Sequence, residues 1–308
     1  MLSKKTIAIS VGDINGVGLQ LVLENHKNIS KYCKPIYCIN SKLLKQASKL
    51  LDIKVPNNFT TYDTHGYFKI KAGKVSGKSG LFSYNSFLDA INLAKDKKVD
   101  AICTMPINKE AWSKAGINYV GHTDMLRDIF KKDAIMMLGC ESMYVSLYTE
   151  HIPLKNVPKE ITKDKLIIFL TNLHKSLKLK GQKVAVLGLN PHAGDNGVLG
   201  NEEKQIQKAI RKTNKIIGKD IFKGTFVPDI VFTPNVRKNY NYFVAMYHDQ
   251  GLAPLKALYF DEAINVSLNL PILRTSVDHG TAFDIAYKKN NNLSNLSYLN
   301  AIKYITKG

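Results

Sequence analysis

Short apolar runs rich in β-branched residues alternate along this chain with longer stretches of helical period. That alternation constrains the fold more than any other feature, because it commits the chain to buried strands and to helices that cover them. Residues 6–11, 35–39, 101–104, 134–138, 144–148, 184–189, 230–232 and 243–246 read as strands. Residues 17–26, 43–51, 81–97, 164–179 and 201–217 read as helices. Phe82, Phe87, Ile91 and Ala94 recur near helical spacing in the third of these, and Leu166, Ile167, Leu170, Leu173 and Leu177 mark one side of the fourth. Strands alternating with helices predict an α/β fold, a mainly parallel sheet with helices on both faces. Such sheets bind ligands beyond the carboxyl ends of their strands. The segment 71–80 is rich in Gly, Lys and Ser and reads as an exposed loop.

At 308 residues and 44% hydrophobic, the chain has material for one large or two medium domains. The formal net charge of +19 raises the question of a nucleic-acid partner. Arginine is confined to Arg127, Arg211, Arg237 and Arg274, so the excess is lysine, and no dense basic run with interleaved aromatics occurs. The lysines therefore read as solvated helix faces, and no nucleic acid is expected as a partner. A positive field does favour anionic substrates. The cysteines Cys33, Cys38, Cys103 and Cys140 form no C-x-x-C pair, which argues against a zinc ribbon or a redox motif and suits a reducing compartment. The opening apolar run is too short for a signal sequence, and no stretch approaches the ~18 apolar residues of a membrane span. The expectation is a soluble, cytoplasmic protein with no membrane partner.

The residues that carry chemistry fall just past expected strands. Thr149-Glu150-His151-Ile152-Pro153-Leu154 follows one, Leu189-Asn190-Pro191-His192-Ala193-Gly194 another, and Tyr247-His248-Asp249-Gln250-Gly251 a third. A single histidine is more often structural than a ligand. Three of them, each flanked by turn-forming residues at a strand end, point to a metal site assembled in space. Three imidazoles suit Zn²⁺, Co²⁺ or Ni²⁺ and leave coordination positions open for a substrate. Asp249 directly follows one of these histidines, which makes it a candidate base or an orienting partner. The loop Gly12-Asp13-Ile14-Asn15-Gly16-Val17-Gly18 does not match G-x-G-x-x-G; it reads either as a tight turn or as an anion-facing loop at a helix start. Glu202 and Glu203 read as first-turn carboxylates favoured by the helix dipole. His122 and Thr123 read either as a helix cap or as donors to a phosphate or carboxylate. Arg274, in a chain so poor in arginine, suits bidentate anion recognition in a polar segment that follows an apolar strand.

In order along nearly the whole chain, Gly12-Asp13 with Gly16-Val17-Gly18, Met105-Pro106-Ile107-Asn108-Lys109, Gly121-His122-Thr123, the three histidine segments, Tyr247 to Lys256, and Arg274 to Ala286 resemble the PdxA family of 4-hydroxythreonine-4-phosphate dehydrogenases in vitamin B6 biosynthesis. The family's usual first loop, Gly-Asp-Pro-Ala-Gly-Ile-Gly-Pro-Glu, appears here as Gly12-Asp13-Ile14-Asn15-Gly16-Val17-Gly18-Leu19-Gln20, and Asp124 and Asp195 stand where glutamates are usual. The resemblance implies a two-domain α/β/α fold like that of isocitrate and isopropylmalate dehydrogenases, with the site in the interdomain cleft. The implied domains are residues 1–124 plus 277–308, and residues 125–276. It implies His151, His192 and His248 as ligands of a divalent metal (Zn, Co or Mg) and His122, Thr123, Lys256, Asn265 and Arg274 as substrate-binding residues. It implies a homodimer with a shared active site. The turn at His279-Gly280-Thr281-Ala282, with Asp284 beyond it, resembles an adenosine-binding loop and implies NAD or NADP bound through Gly280, Thr281 and Asp284.

The implied activity is NAD(P)-dependent oxidation of 4-phosphooxy-L-threonine, a small phosphorylated amino acid, followed by loss of carbon dioxide. Asp249 and then Lys109 are the candidates for the base. A related oxidative decarboxylase of another phosphorylated or acidic hydroxy acid is the alternative. An acyltransferase of the phosphate acetyltransferase kind shares the fold but needs no such histidine set.

Overall fold

The computed structural model describes residues 3–288 and 292–307. Met1 and Leu2 of the opening run, and residues 289–291 and 308 of the segment assigned to the first domain, lie outside the described residues. The chain folds into two compact units: Met1–Lys132 with Ile264–Val266 and Leu270–Gly308, and Asp133–Ala263 with Ser267–Asn269.

The first unit alternates as the sequence requires: β1 (Thr6–Ser10), α1 (Gly18–Ile29), β2 (Lys34–Cys38), α2 (Ser41–Leu51), β3 (Thr61–Tyr62), α3 (Gly77–Lys95), β4 (Ala101–Thr104), α4 (Lys109–Lys114) and α5 (His122–Phe130). Three helix starts are set by side chains that accept from an otherwise unpaired N–H. Asn40 caps α2 through Leu43 N, Ser76 caps α3 through Lys78 N, and Asn108 caps α4 through Ala111 N. The start of α3 corrects the expectation of an exposed loop over 71–80: Gly77 to Gly80 are helical, and Ser79 and Gly80 are buried. Glycine is required at Gly80 because a Cβ there would run into the Ala111 carbonyl of α4.

The second unit runs through β5 (Ile135–Cys140), β6 (Met143–Leu147), α6 (Val157–Glu160), α7 (Lys163–Ser176), β7 (Val184–Leu187), α8 (Glu202–Ile217), β8 (Phe222–Phe226), α9 (Pro228–Val231), α10 (Pro234–Arg237), β9 (Tyr242–Ala245) and α11 (His248–Tyr259). The expected strand at 230–232 is not there. Its β-branched residues fall in and just after the short helix α9, because Pro228 occupies the first turn, where its missing N–H costs nothing and its fixed φ starts a helix. Then follow β10 (Ile264–Leu268), β11 (Leu273–Val277) and α12 (Leu296–Lys307).

The sheet is mainly parallel. In the first unit the order β3-β2-β1-β4-β11 is parallel throughout. In the second the order is β5-β6-β9-β7-β8, antiparallel only between β5 and β6. Each unit has its own core. Phe87, Ile91, Ile102, Trp112, Met125 and Leu126 pack together in the first, and Leu138, Val145, Leu187, Phe243, Leu252 and Leu255 in the second. Met125 and Leu126 explain why the first unit extends to Lys132 rather than to 124: α5 buries its apolar face in that core and cannot be divided from it. Residues 270–276 belong there too, since β11 pairs along β4. Among the described residues, no helix is long and apolar enough to cross a membrane.

Candidate active site

In the first unit, parallel pairing sets the strand ends side by side. Ser10 of β1 lies opposite Thr104 of β4, and Thr104 lies opposite Ser276 of β11; all three are buried. Arg274 sits within β11 rather than after a strand, and is only 2% exposed. Its Nη2 and Nε donate to Thr104 Oγ1 at 2.7 and 3.2 Å, and Nη2 donates to His122 Nδ1 at 3.0 Å. Burial pushes its pKa down to about 10, which leaves it a cation at neutral pH. A guanidinium only donates, so Nδ1 of His122 is the acceptor and the ring proton resides on Nε2. Burial, and then the positive charge of Arg274, hold His122 well below the usual imidazole range and keep the ring neutral. Phe87 and Trp112 meet the ring edge-on, with centroids 4.5 and 5.9 Å away. The Nε2–H is buried and has no hydrogen-bond partner among the described residues. A buried donor of this kind suits an acceptor atom of a bound molecule. Oδ1 of Asn265, on β10, is likewise a buried acceptor without a partner. Thr123 is buried in the first turn of α5, where no side chain caps the helix.

The Gly12–Gly18 loop is a clasp within the same unit. Asp13 N–H donates to Pro106 O, and Gly12 has a φ of +69° with the Met105–Pro106 backbone against it, so only glycine fits. Asn15 grips the segment before α3: it donates to Lys74 O at 2.8 Å and accepts from Lys71 N at 3.0 Å, while its carbonyl accepts from Gly73 N. Val17 N–H donates to Thr281 O, and the Tyr287 hydroxyl donates to Ile14 O. The loop is thus tied to the turn that carries Gly280 and Thr281. Gly280 and Asp284 are exposed, as is Lys109 at the start of α4.

In the second unit, β6, β9 and β7 are consecutive parallel neighbours, and the loops leaving their carboxyl ends carry His151, His248 and His192. The rings of His151 and His248 lie together, with centroids 5.5 Å apart. His248 Nδ1 donates to Asp249 Oδ1 at 2.6 Å, so in the neutral ring Nε2 presents its lone pair. His192 is exposed in a turn where five successive residues are left-handed, with φ of 52° at His192, 51° at Ala193, 81° at Gly194, 40° at Asp195 and 56° at Asn196. Each non-glycine residue there costs roughly 1–2 kcal/mol, so the turn must be held from outside. Glu203 does this. Only 4% exposed, it accepts from Leu189 N and Asn190 N through Oε1 and from Asn190 Nδ2 through Oε2, and Glu202 accepts a second hydrogen from Asn190. The carboxylates therefore do more than meet the dipole of α8: they staple the His192 loop to it. Lys256, on α11, reaches over the Phe260 ring at 5.3 Å.

The family described as pyridoxal phosphate biosynthetic protein PdxA matches residues 31–305. The chain belongs to the PdxA family. A curated relative from Sulfurimonas denitrificans, named 4-hydroxythreonine-4-phosphate dehydrogenase, is 60% identical over 302 residues, spanning 98% of this chain and 97% of its own. One of the same name from Campylobacter fetus is 53% identical over 307 residues, spanning 99% of each. The crystal structure of a 4-hydroxythreonine-4-phosphate dehydrogenase from Burkholderia phymatum superimposes with a TM-score of 0.81 at 30% identity, covering 99% of this chain and 98% of that one.

Of the three histidines that the PdxA resemblance implies as ligands of a divalent metal, the structure sets two, His151 and His248, ring beside ring, the latter with its ring held by Asp249. His192 is set at the same strand edge. Among the described residues, no three His, Cys, Asp or Glu side chains are gathered closely enough to hold an ion. Sequence reasoning missed the side chains that join these loops, Thr149 and Gln250. Both stand inside the motifs that carry the resemblance, and the usable signal was a polar residue two positions from His151 and another two from His248.

Proposed function

We propose that this chain oxidises 4-phosphooxy-L-threonine to 2-amino-3-oxo-4-phosphooxybutanoate, which loses carbon dioxide to give 3-amino-2-oxopropyl phosphate for pyridoxal 5′-phosphate synthesis. The observation that carries this reading is the end-to-end likeness, at 60% identity, to a relative named for that dehydrogenase activity. The chemistry of the first unit supports it. Arg274 offers a permanent cation, His122 Nε2–H an unspent donor, and Thr123 a hydroxyl at a helix start, which together suit the anionic groups of such a substrate. The unpartnered Oδ1 of Asn265 suits the substrate ammonium. Lys256 adds positive charge in the second unit.

A bound nicotinamide nucleotide, NAD or NADP, supplies the hydride acceptor, and in this reading Gly280, Thr281 and Asp284 hold it. A bound divalent ion, Zn, Co or Mg, supplies positive charge that acidifies an alcohol, and His151, His192 and His248 hold it. Asp249 is engaged with His248 Nδ1, so its part is to hold that ring, and Lys109 is the remaining candidate for the proton acceptor. The family resemblance also supports a homodimer with a shared active site. The four cysteines, all buried and unpaired, support a cytoplasmic setting.

The test is formation of reduced nicotinamide from 4-phosphooxy-L-threonine with NAD⁺ or NADP⁺. It is run before and after chelation and again with Zn²⁺, Co²⁺ or Mg²⁺ restored. Turnover that is lost to chelator and returns with metal is expected. A folded protein that leaves this substrate untouched under every combination, yet oxidises another acidic hydroxy acid, refutes the assignment.

A further inference from the structure

Two aromatic rings fix the plane of His122 but not the place of its proton. Phe87 meets it edge-on with no polar atom, and Trp112 does so with its Nε1–H spent on Ser83 Oγ at 2.7 Å. The choice between the ring nitrogens falls to Arg274, whose Nη2 donates to Nδ1. The guanidinium is in turn held by Thr104. Its Oγ1 receives both Nε and Nη2, the edge of the fork that also faces His122. Thr104 ends β4, between β1 and β11, and its side chain is wholly buried. A β-branched residue has little freedom at χ1, so on this packed strand the oxygen is a fixed point. Strand pairing explains how it meets the arginine. Ser276 lies opposite Thr104, so Arg274, two residues earlier on β11, faces the same side of the sheet. Burial makes these bonds stiff and costly to leave unmade.

We propose that Thr104 is a positioning residue for the anionic end of the substrate: its hydroxyl sets the Arg274 guanidinium against His122 Nδ1, and so keeps the proton of that ring on Nε2, where it can be donated to the anion. Thr104 acts through these two residues and does not touch the substrate. The inference rests on the substrate reading given under the proposed function. A valine at 104 keeps the shape and removes the acceptor. The guanidinium is then released, the ring is free to carry its proton on Nδ1, and Nε2 turns a lone pair toward the anion. A serine keeps the oxygen and with it the arrangement.

The experiment compares the parent with Thr104→Val, and Thr104→Ser with Thr104→Ala, so that each pair isolates the hydroxyl. Kinetics with 4-phosphooxy-L-threonine at saturating nucleotide and divalent metal give KM and kcat. NMR of the full-length protein labelled with ¹⁵N-histidine, without substrate, gives the tautomer of each ring, and the signal missing from His122→Gln identifies His122. Loss of bonds to a charged group is expected to raise KM roughly 10- to 150-fold in Thr104→Val and Thr104→Ala, with kcat changed by less than about threefold and Thr104→Ser within about threefold of the parent. The parent and Thr104→Ser are expected to show His122 protonated at Nε2 alone, and the variants without the hydroxyl to show Nδ1–H as well. An unchanged KM, or an unchanged tautomer, in a folded variant that lacks the hydroxyl overturns the positioning role. If the parent leaves this substrate untouched, the substrate reading fails, and the tautomers alone decide whether Thr104 sets the His122 proton. If Thr104→Val does not fold, the serine and alanine pair decides. Loss of the folded state in both Thr104→Val and Thr104→Ala overturns the proposal, because the role of the hydroxyl would then be scaffolding alone.

Discussion

Asp13 offers a quantitative test of how the first loop is built. Its side chain is fully buried, receives N–H of Asn15 at 3.0 Å and the Ser79 hydroxyl at 3.2 Å, and sits close enough to Tyr287 to add to the upward push that burial gives that phenol. Burial outweighs the two hydrogen bonds and pushes the carboxyl from the ordinary 3.8 up to about 6. Between these values the folded chain keeps a proton that the unfolded chain has released. Folding therefore takes up protons in this window, and stability falls as pH rises through it. At ~1.36 kcal/mol per pH unit the interval amounts to about 3 kcal/mol, absent below pH ~4 and fully felt above pH ~6. Asp13→Asn removes the ionisation. The amide oxygen still accepts from Asn15, and Ser79, which already donates to Ser76 O, can accept from the new amide. The variant is expected to match the parent near pH 4 and to exceed it by roughly 2–3 kcal/mol at pH 7. The sole tryptophan, Trp112, is buried in the core of this unit, where it donates to Ser83, so its fluorescence in urea titrations reports the relevant unfolding. A difference between variant and parent that does not change from pH 4 to pH 7, or that changes in the other direction, would refute the reasoning.

Two other outcomes follow from the same geometry. Arg274→Lys replaces a fork that reaches Thr104 and His122 together with a single ammonium, and the loss of ~1.5–3 kcal/mol of charge-assisted bonding predicts kcat/KM lower by roughly 10- to 150-fold, chiefly through KM; a change within twofold counts against the role of the pair. Glu203→Gln sets an amide against the Asn190 side chain at the staple of the His192 loop, and a loss of about 1–3 kcal/mol is expected as a lower unfolding midpoint by circular dichroism, whereas an unchanged midpoint would mean that the left-handed turn holds itself.

Sequence reading was strongest where the period was unambiguous. β1, β4, β7 and β9 stand at or within a residue or two of their expected places, because a short apolar run between turn residues leaves little choice. It was weakest where a local rule competed with composition. Ile230, Val231 and Phe232 look like a strand, but Pro228 decides for a helix. Residues 77–80 look like a loop, but Ser76 caps a helix whose glycine lets α4 pack against it. The candidate residues were legible as residue types. Their partners were not: nothing local says that Arg274 will reach Thr104 and His122, or that Glu203 will serve Asn190 rather than its own helix.

What the sequence by itself determined was therefore the alternation of elements, the family, and a set of residues chemically fit for anion and metal binding, since each follows from local period or from residue type. Tertiary structure alone decided which strands became neighbours, and so placed His151, His248 and His192 on one edge through the order β6-β9-β7. It also decided which buried groups were satisfied. Hydrogen bonds between residues about a hundred positions apart, such as Thr149 to Met246, depend on the packing of the whole unit and leave no periodic trace in the chain.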